Sequence, residues 1–502
     1  MIVFNSSRRR LLRSGGAFLL SAAVLPTWAN LAKPDQVWDE TFDVIIVGAG
    51  LAGLAAACAS IDGGAKTVLL EKMSVPGGTG NFSNGTFTVV GSPQQAKAGI
   101  KDDWQSLMAD NMREGGGYCH PGLARHVAEQ SHASYEFAVA HGATFEDYLI
   151  PFPGHSVKRI LQPTKNCEVG FLQPFRRYVK EHGGEIRTRV RVDEILFNEA
   201  GDVVGVKART NYRFDPTLES DDIQNKTGTV KFYRARRGVI CATGGFAHDK
   251  PFIAQEFPQF SNTFSTQHIG ATASGYRLLA NAGARMIHTT FYRPAFPEAN
   301  NMGKGVLIDV KTGKRYVNET ISRQAHFVEA NKTIQATGQI PVAILDEDSM
   351  EHIVNMPHFK VNQAAGWVTK HASLEAVAKH YGIPFNTLKK TVDQYNAMVE
   401  KGEDTEFHSD LSKKPKNPID KAPLYVCWVR PDLNSNTGGA LINTKAEVIG
   451  LNTNQPIPGL YACGKATGGV HGISRLLGAA TADCMVFGMT AGREAAARKP
   501  AK

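Results

Sequence analysis

The stretch Phe42-Asp43-Val44-Ile45-Ile46-Val47-Gly48-Ala49-Gly50-Leu51-Ala52-Gly53 decides the fold. Its continuous apolar run is typical of a parallel β-strand that is buried on both faces. Glycines at 48, 50 and 53 then lead into an alanine-rich segment, residues 54–60, which we expect to be helical. Glycines in this pattern let the backbone approach a pyrophosphate group at the N-terminus of a helix. The stretch therefore predicts a Rossmann-like, dinucleotide-binding domain of the α/β class.

A carboxylate follows the next predicted strand. Thr67-Val68-Leu69-Leu70 ends in Glu71, which lies 23 residues after Gly48. At this spacing an acidic side chain is expected to bind the ribose hydroxyls of a dinucleotide. From this first part of the chain we expect cofactor contacts at Gly48, Gly50, Leu51, Ala52, Gly53, Glu71 and Lys72.

Three further glycine-rich loops indicate which dinucleotide is bound. One spans residues 77–85, a second follows the apolar strand 238–242, and a third follows the strand that leads to Gly464. One NAD needs one such crevice, whereas loops from segments about 400 residues apart indicate a longer ligand, FAD, held along its length. The further FAD contacts that we expect are Gly78, Thr79, Asn84, Gly85, Val192, Ala242, Thr243, Gly244, Gly464, Lys465, Ala480 and Thr481.

The composition excludes several classes of protein. The chain has 502 residues, enough for two or more domains, and 49 of them are glycine. An apolar share of 42%, a charged share of 21% and a mean hydropathy of −0.23 exclude a disordered chain and a multi-span membrane protein. Seven scattered cysteines without CxxC or CxxCH spacing predict no disulfide framework, no metal site and no haem of the chain's own.

Residues 1–29 resemble a twin-arginine signal peptide. Ser7-Arg8-Arg9-Arg10-Leu11-Leu12 precedes an apolar stretch, residues 15–25, and a small-residue cleavage site after Ala29. The apolar stretch is shorter than the roughly 20 residues that span a bilayer. We expect export to the periplasm through the twin-arginine machinery; the alternative is a basic, disordered N-terminus. Without the leader's four arginines the formal charge falls from +9 to +5, so we expect no nucleic-acid partner.

Over residues 40–497 the chain resembles the flavoproteins of the fumarate reductase and succinate dehydrogenase family. The resemblance is strongest to the soluble periplasmic branch of fumarate, methacrylate and urocanate reductases, with 3-ketosteroid dehydrogenases as more distant relatives. It rests on the Gly48 fingerprint and on three further stretches: Ala242-Thr243-Gly244-Gly245, Gly313-Lys314-Arg315-Tyr316-Val317-Asn318-Glu319 followed by Arg323, and Ile457-Pro458-Gly459-Leu460-Tyr461 through Arg475.

The resemblance implies an FAD-binding domain in two sequence segments with an α+β capping domain inserted between them. On this sequence the FAD-binding segments are residues 36–285 and 415–498, and the capping domain, which contacts the substrate, is residues 286–414. One FAD is expected per chain. Because His120 lies past the loop that carries a covalent flavin link in relatives, we expect FAD to be bound non-covalently.

The family's chemistry implies roles for two arginines. A hydride passes between flavin N5 and the carbon β to a carboxylate, and a proton is transferred at the neighbouring carbon. Arg323 matches the arginine that delivers this proton, and Arg475 matches the arginine that binds the substrate carboxylate with its planar fork. Glu319 is a third catalytic candidate; the alternative is that it only forms an ion pair with Arg323, four residues along a helical turn.

The sequence departs from the fumarate pattern around the substrate. Asparagine, serine and threonine at 434–437 stand where a substrate histidine is expected, and a second histidine is replaced in Tyr292-Arg293-Pro294. The family's glutamate and arginine proton relay falls on Ala299 and Met302. These departures favour a different unsaturated acid, either a monocarboxylate or a bulkier one. The substrate contacts that we expect are Asn434, Ser435, Thr437, Gly438, His471 and Arg293.

Two of these positions leave alternatives open. Lys465 replaces a glutamate of many relatives, and it either binds the diphosphate or the flavin N1/O2 edge, or points to solvent. His471 either contacts the substrate or packs against the flavin edge.

The resemblance thus implies a periplasmic FAD-dependent oxidoreductase that reduces the C=C bond of an α,β-unsaturated carboxylate. Electrons would come from a separate donor such as a c-type cytochrome. One alternative is a dehydrogenase that runs the same geometry backwards on an acid or a ketone. Another is a flavin-binding protein that has lost catalysis.

Overall fold

The computed structural model describes residues 30–152, 154–260, 263–297, 304–350, 354, 357–411 and 417–501. The predicted export leader lies outside these residues, as do Ala299 and Met302. Helices on a large, mostly parallel sheet confirm the predicted α/β class.

The largest sheet is built from distant parts of the chain. Its five central strands run parallel in the order Pro456–Ala462, Thr229–Cys241, Glu40–Val47, Thr67–Leu70 and Glu185–Arg187. The antiparallel strands Glu447–Ile449, Arg191–Phe197 and Val203–Thr210 bring the total to eight. Because Pro456–Ala462 pairs with Thr229–Cys241, the C-terminal segment completes the sheet that the N-terminal segment begins.

Two helices rich in small residues pack together on this sheet. They are Leu51–Asp62 and Ala479–Ala497. A Cβ atom on Gly492 would lie 2.3 Å from the carbonyl oxygen of Ala56, so glycine is needed for the helices to come this close. Both helices share one apolar core with Val44, Ile45 and Ile46, which are fully buried. This core holds the ends of the central strands in place.

The rest of the first segment consists of helices and one small sheet. The helices are Pro93–Lys97, Trp104–Glu114, Pro121–Ala140, Gln173–Glu181, Asp221–Gln224, Lys250–Glu256 and Ser274–Asn281, with a π-helical turn at Glu168–Leu172. Short 3₁₀ segments cover Gly78–Phe82 and Pro258–Phe260, and another follows in the C-terminal segment at Gly464–Ala466. Strands Phe87–Thr88, Ile160–Pro163 and Phe145–Ile150 form an antiparallel sheet.

A five-stranded antiparallel sheet forms the centre of the inserted part. Its order is Lys314–Arg315, Val306–Asp309, Val342–Leu345, Leu424–Trp428 and Val368–His371. The accompanying helices are Arg323–Thr337, Glu347–Met350, Pro357–Ala364, Leu374–Tyr381 and Phe385–Lys401. Because Leu424–Trp428 pairs with strands on both sides, this sheet extends past the boundary expected at residue 414.

Short strands join the inserted part to the large domain. Tyr292–Ala295 pairs with Asp432–Asn436, and Gly439–Leu441 lies between Met286–Ile287 and Thr467–Gly468. The pairing brings the residues near 290, 434 and 467 together. In the part of the chain that the structure describes, no helix is both long and apolar enough to cross a membrane.

Candidate active site

A cavity of about 420 Å³ lies at the carboxyl ends of the central parallel strands. It is lined by Val47, Leu70, Ala242 and Cys463, each of which is the last residue of such a strand or follows it directly. In open α/β sheets this edge is where ligands bind. The volume lies within the usual range for small-molecule and cofactor sites.

The fingerprint loop forms one wall of the cavity. Helix Leu51–Asp62 begins directly after Gly50, and its first residues line the cavity. A Cβ atom on Gly53 would lie 2.1 Å from the carbonyl oxygen of Gly48, so only glycine permits this tight turn. The helix N-terminus offers free N–H groups and the positive end of the helix dipole. The wall therefore fits the pyrophosphate of a dinucleotide.

Glu71 lies on the same wall. Its carboxylate accepts hydrogen bonds from the backbone N–H groups of Ala49 and Met73, both at 2.9 Å. Burial raises the pKa of Glu71, and these two N–H groups oppose the rise. The carboxylate is thus held in one orientation, and its oxygens keep acceptor capacity for the hydroxyls of a ribose.

Most of the predicted cofactor residues line this cavity: Gly48, Gly50, Leu51, Ala52, Glu71, Lys72, Gly78, Thr79, Val192, Ala242, Thr243, Gly244, Lys465, Ala480 and Thr481. The structure does not place Gly53, Asn84, Gly85 or Gly464 on its surface. The three glycines pack closely against Gly48, Cys167 and Ala52, and Asn84 is exposed.

A wall that sequence analysis missed is the loop Thr266, Gln267, His268, Gly270 and Ala271. The Oε1 atom of Gln267 accepts hydrogen bonds from Lys465 Nζ and Thr79 Oγ1. Burial, together with the charge of Arg475, lowers the pKa of Lys465 to about 7. Lys465 therefore faces the cavity and not solvent. No sequence signal marks the loop, because it is irregular and its side chains are of mixed type.

Three guanidinium groups lie close to one another at the cavity. Arg475 lines it, and the buried Nε atom of Arg475 has no hydrogen-bond partner in the described ranges. Arg293 Nη1 donates to Oδ1 of Asn434, which also lines the cavity, at 3.2 Å. Burial and the charges of Arg475 and Arg323 lower the pKa of Arg293 to about 9. Half-buried cations that lie close together favour a counter-charge, so this cluster fits an anionic ligand.

Arg323 completes the cluster from the inserted part. It is the first residue of helix Arg323–Thr337, after the N-cap Ser322. Burial lowers the pKa of Arg323, and the charge of Glu114 opposes this. Within the residues that the structure describes, the Arg323 guanidinium forms no side-chain hydrogen bond or close ion pair. The group is therefore available to a ligand.

Glu319 does not join this cluster. Its two carboxylate oxygens accept hydrogen bonds from Arg315 Nε, at 3.0 Å, and Arg315 Nη2, at 2.7 Å. Arg315 also binds Asp404, at 2.8 Å, and the whole group is buried. The sequence predicts catalysis by Glu319, with an ion pair to Arg323 as the alternative, and the structure shows neither. The structure instead gives Glu319 a place in a buried charge network of the inserted part.

The other predicted substrate residues surround the arginines but are mostly engaged within the protein. Thr437 Oγ1 donates to the Gly472 carbonyl, at 2.6 Å, and Ser435 Oγ to the Asn436 carbonyl, at 3.3 Å. Gly438 packs against the His288 backbone. His471 Nε2 lies 3.3 Å from Asp483 Oδ2. The side-chain groups left to face a ligand are therefore Asn434 and the arginines.

No metal chemistry is indicated at this site. In the described ranges, no group of three or more histidine, cysteine or acidic residues could hold a metal ion. All seven cysteines lie in these ranges, and none forms a disulfide. Burial raises the pKa of Cys484, which lines the cavity, to about 12.

Residues 43–480 match the protein family described as FAD binding domain. The cavity fits that cofactor, since it joins a glycine-rich helix N-terminus, a carboxylate with free acceptor capacity and half-buried cations in one space.

Among curated proteins, the chain is similar to the acrylate reductase flavoprotein subunit of Shewanella woodyi. The two are 34% identical over 506 residues, which cover 97% of each chain. The cytochrome-type fumarate reductase of Shewanella frigidimarina is 30% identical over 493 residues, covering 94% of this chain and 81% of the relative. Among solved structures, the open conformation of a flavocytochrome c3 fumarate reductase superposes with a TM-score of 0.79. That structure is 29% identical, and the match covers 91% of this chain and 78% of the other.

Proposed function

Because the chain belongs to the FAD binding domain family and is an FAD-dependent oxidoreductase of the fumarate reductase type, we propose that it reduces the C=C bond of a small α,β-unsaturated carboxylate. The observation that carries the proposal is the cluster of Arg293, Arg323 and Arg475 beside the cavity. Three half-buried guanidinium groups that lie close together are costly without an anion between them. A carboxylate substrate supplies that anion.

The cofactor would be held along the whole cavity. The loop after Val47 would bind the pyrophosphate, and Glu71 the ribose of the adenosine half. When bound, FAD would supply the hydride for the reduction. Lys465, which lies near Arg475, would place a positive charge next to it. We expect non-covalent binding, so denaturing the protein with acid should release all of the yellow cofactor.

Arg475 would bind the substrate carboxylate. Its planar fork matches the two carboxylate oxygens, and its unpartnered Nε gives it a free donor inside the protein. Arg293, held by Asn434, adds a second positive charge to the same region. Fixed cations at this point also stabilise the negative charge that develops on the carboxylate side as the β carbon accepts a hydride.

Arg323 would donate the proton to the α carbon. Burial lowers the pKa of this guanidinium, and its place in the first turn of a helix sets it against the positive end of the helix dipole. Both effects favour loss of the proton. A general acid needs a pKa close to the working pH, and these effects move arginine toward it.

The substrate class follows from what remains free in the site. Ser435, Thr437 and His471 bond within the protein, so they offer little to a second carboxylate. We therefore favour a small monocarboxylate, and the similarity to an acrylate reductase flavoprotein subunit over nearly the whole chain supports acrylate as the first substrate to test. No observation specifically favours the dehydrogenase alternative.

We also propose where the protein obtains its electrons and where it is located in the cell. The relative's description as a flavoprotein subunit supports a separate electron-donor protein, and a cytochrome-type fumarate reductase among the relatives supports a c-type cytochrome in that role. The leader at 1–29, although outside the described residues, supports export to the periplasm through the twin-arginine machinery.

An anaerobic assay with chemically reduced viologen tests the function. Acrylate, methacrylate, fumarate and urocanate are each added to the purified, FAD-loaded protein, and reoxidation of the dye is recorded. We expect turnover with acrylate or methacrylate that exceeds turnover with fumarate. If no acid reoxidises the dye, while saturated acids or ketones reduce an acceptor, the dehydrogenase alternative is correct.

A further inference from the structure

A half-buried glutamate stands beside the arginine cluster. Glu114 is the last residue of helix Trp104–Glu114, and its Oε1 atom accepts a hydrogen bond from Ser474 Oγ at 3.0 Å. Ser474 immediately precedes Arg475. Glu114 is thus hydrogen-bonded to the residue next to Arg475, the arginine that lines the cavity.

Tight backbone packing fixes this position. A Cβ atom on Gly472 would lie 2.3 Å from the carbonyl oxygen of Gly115, and the same oxygen accepts a hydrogen bond from Ile473 N at 3.2 Å. The end of the helix and the 472–475 loop are therefore in direct contact. The second oxygen of Glu114, Oε2, lies beside Gly154 and has no hydrogen-bond partner in the described part of the chain.

The charge of Glu114 acts on two arginines of the cluster. It raises the pKa values of both Arg323 and Arg293, against the effect of burial. Of the charged groups near Glu114, Arg113 binds Asp110 and the Gly154 carbonyl instead, at 2.5 and 2.7 Å. Arg293 and Arg323 are therefore the cations that face this carboxylate.

Each partner is poorly placed with respect to its own helix. Glu114 ends a helix, where the dipole is negative, and Arg323 begins one, where the dipole is positive. The helix dipole disfavours the charge of each side chain at its own helix end, and the opposite charge of the other side chain offsets this cost. This arrangement suits a pair that exchanges a proton, because the neutral forms of both groups are favoured by the two helices.

The proposed reaction creates a need for such a partner. Arg323 gives up one proton in each turnover and must recover it. The sequence positions expected to carry a relay are Ala299 and Met302, neither of which can hold or pass a proton. Within the described residues, Glu114 is the one carboxylate whose charge acts on Arg323.

We propose that Glu114 resupplies Arg323 with its proton from solvent, a role that rests on the proposed function. As the substrate's α carbon forms its new C–H bond, the Arg323 guanidinium loses a proton to it. The hydride that FAD would supply to the β carbon is made up of one proton from solvent and two electrons from the external donor. Once Arg323 is neutral, the Glu114 carboxylate takes up a proton from solvent and passes it to the Arg323 guanidine through a bridging water molecule, because the two side chains form no direct hydrogen bond in the described residues. Solvent reaches Glu114 beside the exposed residues Gly116 and Gly117, and Glu114 ends the cycle as the carboxylate from which it began.

Glu114→Gln tests this role, because the amide keeps the size and the Ser474 contact of the side chain but cannot supply a proton. Two rates are measured: a single reoxidation of prereduced enzyme by acrylate, followed by flavin absorbance, and steady-state turnover with reduced viologen. Arg323 is already protonated when the single turnover begins. The single-turnover rate of the Glu114→Gln variant should therefore stay within about twofold of that of the unmodified protein. Steady-state turnover should fall by about tenfold or more, and formate or acetate in the buffer should restore part of it.

Glu181→Gln is the matched control, since Glu181 is an exposed glutamate at the end of helix Gln173–Glu181. It should change neither rate. Equal losses in both rates for Glu114→Gln would mean a structural role, and no loss in either would mean that the proton comes from elsewhere; each result overturns the proposal. If the unmodified protein reduces no unsaturated acid, the proposed function fails first, and the two failures are thereby distinguished.

Discussion

Arg315 holds both carboxylate oxygens of Glu319 in a fully buried ion pair, at 3.0 and 2.7 Å. Arg315 and Glu319 are four residues apart in the sequence of the inserted part. Asp404 forms a further ion pair with Arg315. As a result, Arg323 has no carboxylate partner among the described residues of the inserted part. The carboxylate whose charge raises the pKa of Arg323 is Glu114 of the large domain. Arg323 of the arginine cluster and Glu319 of the buried charge network are thus not paired with each other.

Glu319→Gln should lower stability and spare catalysis. The amide leaves a donor of buried Arg315 without a charged acceptor, which should reduce the free energy of unfolding by about 1–3 kcal/mol. Turnover of the folded variant should stay close to that of the unmodified protein. Denaturant unfolding and the viologen assay measure the two effects. Glu329→Gln, a partly exposed glutamate on helix Arg323–Thr337, is the control. Loss of turnover at unchanged stability would mean that Glu319 takes part in catalysis.

Arg323→Met should give the opposite result. Removing the proton donor should lower kcat by about 100-fold or more, because general acid catalysis contributes on that scale. FAD absorbance and thermal stability should be retained, since the guanidinium forms no side-chain hydrogen bond within the described residues that the substitution would break. Arg125→Met, at an exposed arginine in the first turn of another helix, controls for the loss of one charge. Unchanged kcat would mean that another group protonates the α carbon.

Arg475→Lys should weaken substrate binding while FAD stays bound. Lysine keeps the charge but not the planar fork, so we expect kcat/KM for acrylate to fall by about tenfold to 100-fold. Steady-state kinetics over a range of acrylate concentrations should show most of the loss in KM. The exposed Arg493 provides a control, Arg493→Lys. An unaffected KM would place the carboxylate clamp on Arg293 instead.

Lys465 should give the FAD-free protein a measurable pH dependence. Burial lowers its pKa to about 7 from an ordinary 10.5, so the unfolded chain binds more protons than the folded one between these values. The free energy of unfolding should therefore rise with pH in that window, by up to about 1.4 kcal/mol per pH unit. Lys465→Met should remove this rise, and Lys445→Met, at an exposed lysine, should not. Identical pH profiles for all three proteins would mean that Lys465 is not buried as described.

Local sequence was sufficient to predict most of the first wall of the cavity. Gly48, Gly53 and Glu71 each act through a backbone turn or a strand end, which short-range pattern determines. The two-segment domain was also predictable, because the strand before Gly464 has the same buried, parallel character as the first strand. The fold could therefore be inferred from a few contiguous stretches.

The remainder of the site depends on distant contacts. Gln267 lies in an irregular loop and reaches the cavity only because Lys465 and Thr79 bind it. Glu114 becomes relevant through Ser474, which lies 360 residues away in sequence. Glu319 was misjudged because its choice between Arg315 and Arg323, each four residues away, is decided by burial with Asp404. Sequence spacing alone carries no information on these three points.

The central claim is that this protein reduces a C=C bond next to a carboxylate, and comparing acrylate with acrylamide tests it most directly. The two molecules share size and double bond, but only acrylate carries the negative charge that the arginine cluster would bind. With reduced viologen under anaerobic conditions, we predict turnover of acrylate and a kcat/KM for acrylamide lower by about 100-fold or more. Equal rates for the two, or no turnover of acrylate by FAD-loaded protein, would contradict the account.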